Sequence, residues 1–289
     1  MKEKLKFVFF GTPSIASETL DILASNGYIP SIIITSPDKP VGRGLHLTPS
    51  PVSIWAENHN IPCLKPEKLN EKFITDLSSG KPRGSTFVDL YVVVAYGKIL
   101  PETLINTPKL GTINIHYSLL PKYRGASPLE ATLLNGDKTT GVSIQQMVFK
   151  LDSGPIIAKK EIKIDIDETK KEIKEKLISE GAKLLVEYLP KISEGNLQLT
   201  YQNEDDATFC KKIKKEDGEI DINSDPIKNY NKYRAFYGWP GIYFFKIKNN
   251  KKIRVKITKA KYENGEFIIE KVIPEGKKEI GYSEFLKQN

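Results

Sequence analysis

The sequence predicts an α/β protein: a Rossmann-like open sheet, followed by a small OB-like β-barrel domain. Three observations carry that reading. Short β-branched runs alternate with amphipathic helical stretches as far as residue 189, the pattern of parallel βαβ units. One run, FVDLYVVVA over 87–95, is nearly continuous in apolar and β-branched residues, the mark of a central strand covered on both faces. Past residue 206 the pattern becomes short strands, over 241–247, 252–259 and 266–270, as in a small barrel. A chain of 289 residues can bury two cores, and it divides here as 1–193, a polar linker over 194–206, and a second domain over 207–289.

Residues 6–10 read as a strand that runs into Gly11, Thr12 and Pro13. Ile15, Thr19, Ile22 and Leu23 then recur at helical spacing up to Gly27, and 31–35 return as a second strand. The turn between them has neither G-x-G-x-x-G nor G-x-x-x-x-G-K-[ST], so no dinucleotide or nucleoside triphosphate site is supported. Proline and glycine crowd residues 36–51, which predicts a long loop. Within it Arg43 stands between two glycines, placed either to reach a phosphate or to sit solvated. Helices are expected over 52–59 and 70–77, with a short strand over 61–64. The central strand then ends in Tyr96, Gly97, Lys98, Ile99, Leu100 and Pro101. Such a loop can offer backbone groups and apolar side chains to a flat heterocycle, or can simply line a core edge.

In 111–116 the apolar Ile113 and Ile115 alternate with Thr112, Asn114 and His116, so a strand puts the three polar groups on one face. Residues 118–125 keep no period and leave that strand at its carboxyl end, where open α/β sheets bind ligands. Ser127, Pro128 and Gly136 suit the cap, first turn and end of a helix over 128–134. A strand over 141–147 returns the chain, and the turn Leu151-Asp152-Ser153-Gly154 could deliver Asp152 beside His116. A lone strand histidine is more often a hydrogen-bonded structural group, and spacing alone does not bring Asp152 to it. Beyond the turn come a strand over 155–164 and an amphipathic helix over 170–189, ended by Pro190.

Charge is unevenly placed. Residues 207–289 hold 19 Lys and Arg against 11 Asp and Glu, which is the whole net +8; residues 1–206 balance at 25 and 25. From Lys246 to Lys261 there are eight basic residues and no acid, and Lys252, Arg254 and Lys256 alternate with Ile253, Val255 and Ile257 after an Asn249-Asn250 turn. Protection of an edge strand accounts for two or three lysines; eight favour a polyanionic partner. Cys63 and Cys210 match no metal or redox spacing, and His46, His59 and His116 form no ligand cluster, so no metal is expected. With no apolar run of spanning length and no secretory core, the expectation is a cytoplasmic monomer away from membranes.

The run NIHYSLLPKYRGASP from Asn114 to Pro128, with Leu151-Asp152-Ser153-Gly154 after it, resembles the signature of the folate-dependent formyltransferases, and the resemblance covers nearly the whole chain. It implies a formyltransferase domain in which Asn114, His116 and Asp152 are catalytic. It implies a 10-formyltetrahydrofolate site built from Ser118, Leu119, Leu120 and Pro121 together with Tyr96, Gly97, Ile99 and Leu100. The acceptor so implied is the free amino group of methionyl initiator tRNA, formylated for translation initiation. Arg43 would meet the acceptor arm and Lys252, Arg254 and Lys256 the phosphates. Tyr117 stands where the family usually has a small residue. Two other readings remain open: formylation of an amino sugar attached to a nucleotide, which needs no basic strand, and a catalytically silent RNA-binding protein, against which the full set Asn114, His116 and Asp152 argues.

Overall fold

The structure, a computed structural model, describes residues 5–42, 44–79, 88–248 and 251–287. Arg43, Phe87 and the Asn249-Asn250 turn lie outside the described residues. Two compact units divide the chain. The first gathers the residues up to Arg124, Gly141–Glu161 and Lys176–Thr208; the second holds Gly125–Thr140, Ile162–Glu175 and everything from Phe209.

A seven-stranded sheet frames the first unit. Its spatial order is Ile156–Lys163, Thr139–Gln146, Thr112–His116, Leu90–Val94, Phe7–Gly11, Ile32–Ile34 and Cys63–Leu64. Pairing is parallel from Thr112–His116 across to Cys63–Leu64, and antiparallel where Thr139–Gln146 joins. Every residue of Phe7–Gly11 and Leu90–Val94 is buried, which is why those runs read as unbroken apolar sequence. Each large side chain so buried contributes roughly 1.5–3 kcal/mol. Successive strands fall on opposite sides of Phe7–Gly11: the chain goes first to Ile32–Ile34 and later lays Leu90–Val94 against the other edge. Open sheets part at such a switch point, at the carboxyl ends. Thr12 ties those ends together, donating from Oγ1 to the Tyr96 carbonyl at 3.0 Å and lying 3.1 Å from Ser36 Oγ.

Helices cover the sheet as the periodicity predicts. Ser50 caps Pro51–Asn58 by accepting from the Ser53 N–H, and Asn70 caps Glu71–Ser78 in the same way. Trp55 of the former donates to Asp21 of Ser14–Ser25 at 2.6 Å. Two local expectations need correction. Helix Lys170–Ser193 runs on past Pro190, because in a last turn the ring costs one N–H bond and its fixed φ is already helical. Residues 36–51 are also not all loop: Lys39–Val41 pairs antiparallel with His46–Thr48 through the glycine-rich return. No helix among the described residues is long and apolar enough to cross a membrane.

In the second unit an antiparallel sheet runs in chain order through Ile242–Lys248, Lys251–Glu263, Glu266–Pro274 and Ile280–Gly281. Ile242, Phe244, Val255, Ile257 and Val272 are buried on one face. Tyr243, Phe245, Lys252, Arg254 and Lys256 share the opposite one. Helix Pro128–Leu134 packs against helix Pro226–Ala235 within this unit.

Candidate active site

Strand Thr112–His116 lies between Leu90–Val94 and Thr139–Gln146. Alternation turns Ile113 and Ile115 towards helix Lys170–Ser193, where a Cβ added at Gly181 would come within 3.3 Å of Ile115. Asn114 and His116 therefore face the other way. Asn114 pairs across the sheet with Val93 on one side and Gln145 on the other. Its Nδ2 donates to the Val93 carbonyl at 3.0 Å.

The ring of His116 is 6% exposed. Its Nε2 lies 2.9 Å from the carbonyl oxygen of Tyr123. A carbonyl only accepts, so in the neutral ring Nε2 carries the proton and Nδ1 keeps the basic lone pair. Nδ1 faces Asp152, 3.8 Å from Oδ2. In the neutral ring both atoms are acceptors and no hydrogen bond joins them; the contact becomes an ion pair when Nδ1 takes a proton. Tyr123 aims its carbonyl by sitting at φ +60, unusual for a residue other than glycine. Tyr117, on the opposite face, is buried with its hydroxyl 3.5 Å from Thr19. Burial drives its phenol well above the usual range, so it remains neutral. The large residue beside His116 therefore fills core and leaves the His116 face unchanged.

Asp152 is also in the left-handed region, at φ +46. Gln145 Nε2 donates to its Oδ1 at 3.0 Å. Gln202 Nε2 donates to the carbonyls of Asp152 and Gly154, at 2.9 and 2.7 Å. Gln202 is itself held by Arg124, which is fully buried and donates to Gln202 Oε1 from Nε and Nη2 at 3.1 and 2.9 Å. Arg124 also grips Glu204 through both carboxylate oxygens, at 3.1 and 2.9 Å. Lys150, two residues before Asp152, reaches Glu204 at 2.6 Å. The hydrogen bonds from Arg124, then from Lys150, hold the Glu204 carboxyl down at about 2. The stretch over 194–206, read from sequence as a linker, thus supplies two side chains that brace the Asp152 turn.

Gln145, Arg124, Gln202 and Glu204 carried no signal that sequence reasoning used. Arg124 stands inside the quoted run, but its partners are 78 and 80 residues away. Gln145 becomes visible only once the antiparallel register sets it opposite Asn114.

The remaining positions fall as follows. Tyr96 and Leu100 are buried, Ile99 is 84% exposed, and Gly97 at φ +83 has open space where a Cβ would be. The Tyr96 hydroxyl is buried without a hydrogen-bond partner. Ser118 and Leu120 are buried; Ser118 Oγ donates to the Lys122 carbonyl at 2.6 Å, and the Leu120 N–H donates to Ser143 Oγ at 3.0 Å. Leu119 packs beside Gly141, and Pro121 follows Leu120 through a cis peptide. The exposed Ile99 side chain and the open turn at Gly97 leave room for a flat heterocycle, while Tyr96 and Leu100 pack into the core beneath them.

In the second unit Lys252 Nζ sits 4.0 Å above the Phe245 ring, and the Arg254 guanidinium 3.7 Å above that of Tyr243. Lys256 is half-buried near Gly241. Lys259 and Lys261 pair with Glu270 and Glu263 at 2.8 and 2.5 Å. Two of the eight basic residues thus have acids beside them that lie just past the run counted in the sequence.

The chain is similar to known proteins in sequence and fold. A family model described as formyl transferase matches residues 4–189, and one described as formyl transferase, C-terminal domain, matches 212–268. The methionyl-tRNA formyltransferase of Thermotoga maritima is 43% identical over 238 residues, 82% of this chain and 74% of the relative. Among solved structures, a methionyl-tRNA formyltransferase from Clostridium thermocellum aligns at TM-score 0.61 with 18% identity, over 94% of this chain and 99% of its own. A sugar 3N-formyl transferase in the presence of dTDP and 5-N-formyl-THF aligns at 0.65 with 20% identity, over 90% and 87%. At those identities the structures show a shared fold, while the sequence relative and the family models show descent. The chain belongs to the formyl transferase family.

Proposed function

We propose that this protein transfers the formyl group of 10-formyltetrahydrofolate to the free amino group of methionyl initiator tRNA. The observation that carries the reading is the meeting of Asn114, His116 and Asp152 on one sheet face, in a chain 43% identical to a methionyl-tRNA formyltransferase.

The folate co-substrate supplies the formyl carbon when bound. Tyr96, Gly97, Ile99 and Leu100 would hold its ring, with Ser118, Leu119, Leu120 and Pro121 forming the far wall. Asn114 keeps its carbonyl end towards Gln145 and one Nδ2 hydrogen on Val93. Its second hydrogen is left to stabilise the charge that develops on the formyl oxygen, a donor role worth about 3–4 kcal/mol when preorganised. An α-amino group titrates near pH 8, so part of it is already neutral at cellular pH. His116 Nδ1 takes the proton released on attack, Asp152 stabilises the imidazolium, and the same atom returns the proton to the leaving nitrogen. Such proton handling contributes about 10²–10⁴ in rate.

In the domain roles so proposed, residues 1–193 carry the catalytic set, 194–206 connect and, through Gln202 and Glu204, brace the Asp152 turn, and 207–289 bind tRNA. Lys252, Arg254 and Lys256 would meet phosphates, and Arg43 the acceptor arm. The protein would act as a monomer in the cytoplasm. Formylation of a nucleotide-linked amino sugar is the rival reading, favoured only by the fold it shares with the sugar enzymes. Purified protein, given 10-formyltetrahydrofolate with methionyl-tRNA or with a dTDP-linked amino sugar, separates the two. Turnover of the sugar nucleotide alone would defeat the tRNA reading.

A further inference from the structure

We propose that Gln145 is a positioning residue for formyl transfer, one that orients Asn114 and Asp152 together. The proposal rests on the function just described and adds a fourth side chain to its machinery.

Gln145 is 1% exposed and lies in Thr139–Gln146, opposite Asn114 in register. Its Nε2 is 3.0 Å from Asp152 Oδ1 and 3.5 Å from Asn114 Oδ1. An ionised carboxylate and an amide oxygen are both pure acceptors, so only the nitrogen end of Gln145 can face them. That single orientation has two consequences. Asn114 must turn its oxygen towards Gln145 and its nitrogen towards Val93, which sets the flip that leaves one N–H for the reacting oxygen. Asp152 is held by Oδ1, so that Oδ2 is the oxygen presented to His116 Nδ1. A charge-assisted bond of this kind is among the stronger ones a neutral side chain can make.

The bland alternative is a buried glutamine that satisfies itself within the sheet. Against it, Gln145 Oε1 is buried with no hydrogen-bond partner. A self-satisfied core amide would use both ends, since a buried unpaired acceptor is costly. Gln145 instead spends its nitrogen on two members of the catalytic set and leaves its own oxygen unmet. Packing alone would be served as well by an apolar side chain of equal length.

Two variants separate positioning from packing. Gln145→Met keeps the volume and removes both bonds; Gln145→Glu keeps the shape and exchanges the donor for an acceptor. Both should lower kcat for methionyl-tRNA formylation about ten- to a hundredfold, the loss expected for a hydrogen bond to a charged partner. KM for either substrate should move less than about twofold. Crystal structures of the wild type and the Met variant should show the Asp152 carboxylate and the Asn114 amide displaced. A purely packing role predicts instead that the Met variant turns over normally and only the Glu variant is impaired. Wild-type kcat in the Met variant, or unmoved Asn114 and Asp152 side chains, would overturn the proposal. Should the Met variant fail to melt cooperatively, Gln145→Leu, which likewise removes both bonds without adding a charge, carries the same rate and structure comparison. A wild-type protein inactive towards methionyl-tRNA would defeat the functional reading instead, and the two crystal structures would still decide whether Gln145 orients the pair.

Discussion

Tyr123 holds φ +60, and its carbonyl fixes the ring of His116. Left-handed backbone at a bulky residue is held only where surrounding bonds over-determine it, and here the Tyr123 N–H donates to Thr208 Oγ1 at 2.8 Å. The consequence is a stated proton position. Nitrogen-15 spectra should show neutral His116 protonated on Nε2; a ring protonated on Nδ1 would contradict the assignment of Nδ1 as the base. Glu204 offers a second test at this scale. Its carboxyl is depressed to about 2, first by the hydrogen bond from Arg124 and then by that from Lys150. A depressed carboxyl contributes stability that is complete above the ordinary carboxylate range and is lost as pH falls through the folded value. Glu204→Gln should therefore lower Tm by a constant amount from neutral pH down to about 5, with the gap to wild type closing between there and about pH 2. A gap that stays open at about pH 2 would mean that something other than the carboxylate charge braces the turn.

Among the elements, the Asp152 turn explains its own glycine. At Gly154 a Cβ would lie 1.7 Å from the Gln146 carbonyl oxygen, so the demand is for space. Gly154→Ala should destabilise the fold by about 1–3 kcal/mol, the usual range for forced overpacking, and should lower transfer by shifting Asp152. Wild-type Tm and kcat in that variant would show that the turn is looser than described. The basic strand is tested by its counterions. Replacing Lys252, Arg254 and Lys256 together by Ala should weaken tRNA binding and flatten the log–log salt slope by about 2–3 if all three meet phosphates. An unchanged slope would leave the cationic face as edge protection. The elements were mostly legible in the sequence, because unbroken apolar runs and helical spacing are local signals, whereas the caps Ser50 and Asn70 emerge only in the structure. The bracing of Asp152 was not, because Arg124, Gln202 and Glu204 meet only through tertiary contact. Glu263 and Glu270, likewise, lie just beyond the basic run and offset two of its lysines.

At the scale of the molecule, all of the net +8 belongs to residues 207–289, whereas the candidate trio stands in the neutral remainder. The proposed function would thereby draw long-range attraction for a polyanion and the chemistry on an amine from different parts of one chain. Sequence pattern foresaw that asymmetry and the open sheet, since charge and hydrophobic period need no contacts to be read. Whether Asp152 reaches His116 needed the antiparallel return of Thr139–Gln146, which no spacing rule supplies. The central claim is that His116 and Asp152 move a proton during formyl transfer to methionyl-tRNA. Its most direct test is the single-turnover rate of N-formylmethionyl-tRNA formation by wild type, His116→Ala and Asp152→Ala, with folate and tRNA binding titrated in parallel. The expected result is a fall of about a hundredfold or more in each variant with binding nearly intact, and a variant that keeps more than about a tenth of the wild-type rate would exclude that role for its residue.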